Sequence, residues 1–378
     1  MEFATKSIWV GQEADKTTGA TITPIYQTST FTHEEIGVHK GYEYTRSGNP
    51  NRTALETCVA SLEEGKHGLA FSSGLAAEHA VISILKPGDH VIACEDIYGG
   101  TFRLLTEVFE HFNISTTFVD MTNHDELKKS LRKETRMIWL ESPTNPLLKI
   151  FDIAAIAEIS NKQDALLVVD NTFATPYFQK PLKLGAHIVV HSTTKYINGH
   201  SDVIGGIVIL NDDSNYEKIK FIQNSVGAVP SPFDCWLTLR GLKTLAVRMK
   251  QHQENAFKVA YFLQHHNKVD AVYFPGLPTH PNHEIARKQA TGFGGVVSFK
   301  IKGGYNEANN FFKNLKIFQL ADSLGGVESL ANYSTKMTHE SFPVELKKKI
   351  GITDNLIRLS IGIEDAGDLI EDLKQALD

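Results

Sequence analysis

Short apolar runs of strand length punctuate the first two thirds of the chain: LAFSS from 69, VIAC from 91, ISTTFV from 114, MIWLES from 137, LLVVD from 166, HIVVHS from 187 and GIVIL from 206. Several are continuously apolar rather than alternating, the pattern of strands covered on both faces, and helix-like segments lie between some of them. In one such segment, 74–86, Ala77, Val81, Ile84 and Leu85 recur at helical spacing before KPGD stops the helix. This alternation predicts an α/β fold with one large, mainly parallel sheet, whose ligands sit outside the carboxyl ends of the strands. After GAVPSPFD, two apolar quartets predict a single long connecting helix: Leu242, Leu245, Ala246 and Met249, then Ala256, Val259, Ala260 and Leu263. Beyond it, VVSFKI from 296, LIRLSIG from 356 and a terminal helix opened by Asp365 predict a smaller α+β unit. The opening segment is rich in Thr, Gly and Pro with little periodicity, and reads as an arm that packs on something else. The expected division is an arm over 1–46 contacting a neighbouring subunit, a large domain over 47–245 and a C-terminal domain over 246–378.

Composition narrows the function classes. A net charge of −6, with Lys and Arg mixed among Asp and Glu along all 378 residues, offers no field for a polyanion, so nucleic acid is not an expected partner. No apolar window is long enough to span a bilayer. The N-terminal stretch lacks a cationic segment followed by an apolar one, which makes the cytoplasm the expected compartment. Cys58, Cys94 and Cys235 are odd in number and far apart, which suits neither a disulfide framework nor a zinc site. His191 and His200 flank Lys195, but no cluster has zinc-ligand spacing, and no metal is expected.

Two charged residues stand where such a sheet presents its ligands. LLVVD ends on Asp170, and HIVVHS runs into Lys195. A carboxylate buried at a strand end needs a cationic or hydrogen-bonding partner, and a protonated pyridine nitrogen is one. A partly desolvated lysine loses basicity and can attack a carbonyl to form a Schiff base. Pyridoxal phosphate requires both groups, together with an anion site for its phosphate. SSGLAA at 72–77 follows a strand and opens a helix, so the N–H groups of Gly74 and Leu75 face an anion, and the hydroxyls of Ser192 and Thr194 can join them. Each piece alone has a bland reading, a surface lysine or a plain helix start. A dinucleotide is disfavoured because no G-x-G-x-x-G follows a strand.

Eight stretches carry a resemblance: YEYTRSGNP at 42, SSGLAA at 72, DIYGGTFRL at 96, ESPTNPLLKI at 141, VVDNTFATPYFQKPL at 168, HSTTKYINGHSD at 191, SLGGVESL at 323 and IRLSIGIED at 357. Together and in this order the chain resembles the Cys/Met-metabolism family of pyridoxal-phosphate enzymes, nearest to the cystathionine γ-lyases and γ-synthases. The resemblance implies a fold-type I transferase, like aspartate aminotransferase, with a large mostly parallel sheet domain and a smaller C-terminal α+β domain. It implies that Lys195 holds the cofactor aldehyde and later moves a proton, that Asp170 pairs with the pyridine nitrogen, and that Tyr98 stacks on the ring and accepts a proton. Gly74, Leu75, Ser192 and Thr194 would hold the phosphate. Tyr44 and Arg46 would reach the phosphate of the neighbouring subunit, giving a homotetramer built from catalytic dimers. Arg358 would clamp the carboxylate of a small amino-acid substrate, helped by Ser323 and Asn145, and Thr338 would line the same site.

Within that family, the resemblance of Arg103 in YGGTFRL and of the acid Asp322 before Ser323 favours the γ class acting on cystathionine; those γ-enzymes usually carry Glu at 322, one methylene longer, and the β-lyases an aromatic residue. ESLANYSTKMTH at 328–339 also lacks the proline that relatives carry before MTH, so the loop beside the substrate is expected to differ in shape. The preferred reading is γ-elimination of L-cystathionine, with γ-synthase next and β-lyase after it. A catalytically silent assembly protein would have lost Lys195, Asp170 or Arg358, and all three are present.

Overall fold

All seven runs take their places in one sheet. In the computed structural model, which describes residues 1–378, the strands are β1 (His67–Phe71), β2 (His90–Cys94), β3 (Ser115–Val119), β4 (Thr135–Glu141), β5 (Leu166–Asp170), β6 (Ile188–Ser192) and β7 (Gly206–Leu210). Their spatial order is β1-β7-β6-β5-β4-β2-β3, with β7 antiparallel to both neighbours and the other strands parallel. An antiparallel neighbour needs no helical crossover. The chain therefore passes from β6 into β7 through one loop, 193–205, and Lys195 lies at its start.

The continuous apolar runs follow from two cores, one on each face. Along β6 and β7, Ile188, Val190, Val208 and Leu210 enter one core while Val189, Ile207 and Ile209 enter the other. Each such side chain is fully buried, which is worth roughly 1.5–3 kcal/mol. Helices Gly74–Ile82 and Ile153–Lys162 cover the first face; Pro50–Glu63 and Pro232–Leu242 cover the second.

Two expectations change. The helix from residue 74 ends at Ile82 rather than near 86; Ser83 Oγ donates to the carbonyl of His79 at 2.7 Å, and Ile84 and Leu85 lie beyond the last turn. The single connecting helix is two, Pro232–Leu242 and Leu245–Gln264. The first quartet straddles that break, which periodicity alone could not reveal because all its members are buried. Arg248 makes the break by folding back, donating to the Gly241 carbonyl at 2.9 Å and the Thr244 hydroxyl at 3.1 Å. The helix Leu245–Gln264 then divides its apolar side chains. Leu245 and Met249 join the core under the large sheet, whereas Ala256, Val259, Ala260 and Leu263 join a third core.

That third core lies under a five-stranded sheet formed by β8 (Val269–Tyr273), β9 (Val296–Ile301), β10 (Gln319–Leu320), β11 (Leu330–Asn332) and β12 (Leu356–Ser360), in the order β8-β9-β12-β11-β10. Only β9 and β12 are strongly apolar in sequence; β8, β10 and β11 are short or half exposed and left no clear pattern. The terminal helix Ala366–Leu377 starts at Asp365, whose side chain accepts from Gly367 N–H. At the other end of the chain, Trp9, Ile22, Ile25, Ile36 and Val38 leave apolar surface exposed along the N-terminal segment. No helix is long and apolar enough to cross a membrane.

Candidate active site

The loops after β1, β2, β4, β5 and β6 leave the same edge of the large sheet; Gly74, Leu75, Tyr98, Arg103, Asn145, Thr194 and Lys195 follow these strands, and Asp170 and Ser192 end two of them. After β1, Ser73 caps the helix Gly74–Ile82 by accepting from Ala76 N–H at 3.0 Å. The amides of Gly74 and Leu75 begin that helix, where no intrahelical acceptor exists for them. A β-carbon on Gly74 would approach the Ser192 β-carbon to 3.0 Å, and one on Gly206 would meet the Ser73 carbonyl at 2.2 Å. Glycine at these two positions lets β6, β7 and the helix start approach closely, with the Ser192 side chain beside the free helix-start amides, the kind of corner that suits an anion. Thr194 has a second engagement. Its hydroxyl is engaged by Gly205, accepting from the amide at 3.0 Å and donating to the carbonyl at 3.2 Å, so it braces the β6–β7 loop.

Lys195, half-buried, donates from Nζ to Ser323 Oγ at 2.6 Å. Burial, and then the positive charge of Arg358, bring its proton affinity down to about 8, against the opposing pull of Asp322 and Asp170. Ser323 itself has φ of 84°, a left-handed conformation that costs a non-glycine residue of order 1 kcal/mol and turns both its hydroxyl and its carbonyl toward the pocket. Arg358, on β12 and 1% exposed, donates from Nη2 to the Ser323 carbonyl at 2.7 Å and from Nη1 to Asn145 Oδ1 at 2.8 Å. Its Nε is buried with no partner. An orphaned guanidinium N–H in a polar pocket suits an incoming carboxylate.

Asp170 closes β5 and is buried, with Oδ1 accepting from Thr172 N–H at 2.9 Å. Burial raises its proton affinity, and Thr172, His191 and Lys195 oppose that rise. Tyr98 precedes the helix Gly99–Arg103, its N–H held by Glu141 Oε2 at 3.0 Å and its ring partly exposed. Burial and then Glu78 keep its phenol protonated, with Arg103 pulling the other way. Arg103 is exposed and reaches only Ser341 Oγ, at 3.5 Å. Asp322 Oδ1 accepts from Asn332 Nδ2 at 3.2 Å. The Thr338 hydroxyl bonds His339 Nδ1 at 2.9 Å; because His339 Nε2 faces the Ile97 carbonyl at 3.2 Å, the proton sits on Nε2 and Thr338 is the donor to Nδ1.

Tyr44 and Arg46 lie outside this group. Arg46 stacks on Tyr44 at 5.6 Å and donates to the Asn224 carbonyl at 2.8 Å, on the helix Asp213–Val226. Several neighbours were not foreseen: Glu78, Glu141, Thr172, His339 and Arg248. Glu141 begins ESPTNPLLKI and Thr172 lies within VVDNTFATPYFQKPL, so their spacing from Asn145 and Asp170 was the available signal. His191, which had invited a metal reading, instead bonds Glu63 Oε1 through Nε2 at 2.6 Å behind the sheet, with Asn171 Nδ2 on the same oxygen at 2.8 Å.

The pocket therefore offers a nucleophilic amine, a buried carboxylate, a helix-start anion corner and an orphaned guanidinium. Pyridoxal phosphate has the aldehyde, ring nitrogen and phosphate that match the first three, and an amino-acid carboxylate matches the last. Comparisons with known proteins agree with this geometry. The family model described as Cys/Met metabolism PLP-dependent enzyme matches residues 4–378. A cystathionine γ-lyase of Dictyostelium discoideum is 53% identical over 100% of this chain and 98% of its own. A cystathionine β-lyase of Lactococcus lactis subsp. cremoris is also 53% identical, over 99% of this chain and 98% of its own. The solved structure of metB from Corynebacterium glutamicum superposes with a TM-score of 0.97 at 50% identity, covering 100% of this chain and 98% of that one.

Proposed function

This chain belongs to the Cys/Met metabolism PLP-dependent enzymes, carbon–sulfur lyases that act on amino acids, and within that family we propose that it is a cystathionine γ-lyase. The reaction would convert L-cystathionine and water to cysteine, 2-oxobutanoate and ammonia. The observation that carries the proposal is the joint placement of the orphaned Arg358 Nε, the Lys195 amine and the acid Asp322, whose charge acts on both cations. Such a pocket can take a carboxylate at one end of a substrate and an ammonium at another. Relatives named as γ-lyase and as β-lyase are equally similar, so identity alone does not choose between them.

In this reading Gly74, Leu75 and Ser192 would hold the cofactor phosphate, with Thr194 fixing the loop; Asp170 would face the ring nitrogen, Tyr98 the ring face, and Lys195 would be the covalent anchor. When bound, pyridoxal phosphate supplies an electron sink for negative charge developing at the substrate Cα. Arg358 would orient the α-carboxylate through two donors, with Asn145 and the Ser323 carbonyl fixing the plane of its guanidinium. Lys195, with proton affinity brought down to about 8, is near the range where an amine can both take and return a proton at neutral pH. Ser323 Oγ aims its Nζ. The Tyr98 phenol, kept protonated by burial, would face the ring as a hydrogen-bonding group rather than as the base that deprotonates an incoming ammonium. Asp322, anchored by Asn332, would hold the distal ammonium, with Arg103 at the outer carboxylate and Thr338 along the wall.

Tyr44 and Arg46, with the exposed apolar arm, would serve the active site of a second copy, so the working unit would be a dimer of this chain and the assembly a pair of dimers. Offering L-cystathionine to the cofactor-loaded protein and following 2-oxobutanoate and pyruvate separately tests the assignment. Mainly 2-oxobutanoate supports it. Mainly pyruvate moves it to β-lyase, and faster formation of cystathionine from an O-acyl-homoserine plus cysteine moves it to γ-synthase.

A further inference from the structure

Three carboxyls are buried together behind Tyr98: Glu78, Glu141 and Asp170. Glu141 ends β4 and Asp170 ends β5, and the two are register partners on adjacent strands. Glu78 arrives from the helix Gly74–Ile82, one turn past the amides assigned to the phosphate. Their donors differ. Asp170 Oδ1 has Thr172 N–H at 2.9 Å, Glu141 Oε2 has Tyr98 N–H at 3.0 Å, and Glu78 Oε2 is buried with no partner. With Oε2 undonated and only the Thr101 hydroxyl favouring its charged form, Glu78 is the costliest of the three to charge, and a second anion beside Asp170 would add repulsion.

We infer that Glu78 is held as a neutral, protonated carboxyl, a positioning residue that leaves Asp170 as the anion offered to the cofactor's ring nitrogen. Burial and then the charge of Asp170 push Glu78 well above the usual carboxylate range, with only the Thr101 hydroxyl opposing. Glu141 is pushed up by burial and by Asp170 as well, and the Tyr98 amide opposes. The groups facing Glu78 are thus Asp170 from β5, Glu141 from β4, and Tyr98 and Thr101 from the segment leading through Gly99–Arg103. A charged Glu78 would draw a proton onto Asp170 and remove the partner that a protonated ring nitrogen needs. A neutral one leaves a single negative charge to balance a single positive one.

The meaning of this inference rests on the cofactor reading, but its test needs no cofactor. Urea unfolding of the cofactor-free protein would be compared with Glu78→Gln between about pH 5 and 8. Glu78 binds its proton more tightly folded than unfolded, so its contribution is complete below its ordinary value of 4.5 and is lost as pH rises toward the folded value. The folding equilibrium of the wild type is expected to fall relative to Glu78→Gln by up to about tenfold per pH unit. Parallel pH profiles overturn the inference. Glu78→Leu, neutral without an amide, gives an independent reading where Gln disturbs the packing. In an Asp170→Asn background the advantage of Glu78→Gln near pH 8 is expected to shrink; an unchanged advantage overturns the claim that Asp170 carries the competing charge. Neither arm uses a sulfur substrate, so a wrong reaction assignment and a wrong Glu78 fail separately.

Discussion

Lys195→Met in the cofactor-free protein isolates how strongly the pocket disfavours an ammonium. Methionine keeps the length and flexibility of the side chain without the charge. Burial and Arg358 bring Lys195 from an ordinary 10.5 to about 8, so the folded state binds fewer protons than the unfolded state throughout that window. For a base shifted this way, stability rises with pH, at about 1.4 kcal/mol per pH unit while the unfolded chain alone is protonated. Below about pH 8 the wild type carries the full cost, roughly 3 kcal/mol relative to an uncharged side chain, and above 10.5 the cost is gone. The 2.6 Å hydrogen bond to Ser323 offsets part of that cost, so the pH dependence rather than the absolute difference is the cleaner measure. Urea unfolding would be followed by tryptophan fluorescence, to which the fully buried Trp139 contributes. The stability of Lys195→Met relative to wild type should decline by roughly 2–3 kcal/mol between about pH 7 and 10. Groups common to both proteins, including Cys58, whose thiol burial pushes up to about 12, cancel in the difference. A difference that stays flat across this range would refute the depressed lysine and, with it, its readiness as a nucleophile at neutral pH.

Substitutions at three further sites test the geometry. Arg358→Lys loses the fork that meets Asn145, the Ser323 carbonyl and the orphaned donor direction, and should lower kcat/KM by about 10- to 100-fold, mainly through KM, in steady-state kinetics. Ser323→Gly and Ser323→Ala both remove the hydroxyl, so the positive φ of 84° alone should make the glycine variant the more stable by about 1 kcal/mol in chemical denaturation. His191→Ala leaves the Glu63 carboxylate buried behind β6 without its 2.6 Å partner and should destabilise the protein by roughly 3–5 kcal/mol, read as a lower denaturation midpoint.

The sequence by itself determined the large sheet and the main line of the chemistry, because both are written in local patterns. A strand covered on two faces must be apolar at every position, so LLVVD and GIVIL mark β5 and β7 to the residue. Turns that bring glycine, lysine and carboxylate to strand ends are likewise contiguous, which is why Gly74, Asp170 and Lys195 stood out before any contact was known. Structure was needed wherever an outcome depended on residues distant in the chain. The break at 243–244 is made by Arg248 reaching back to Gly241, which no period of buried residues reports. Thr194 braces Gly205, while Arg46, with Tyr44 beside it, bonds the Asn224 carbonyl on the helix Asp213–Val226. Likewise, the contact of Lys195 with Ser323 spans 128 residues, and Arg358 meets Asn145 across 213. Glu78 directly follows the SSGLAA motif yet gave no sign of its role. A glutamate on a helix is ordinarily solvated, and only the packing that buries it beside Asp170 turns it into a neutral acid at the heart of the site.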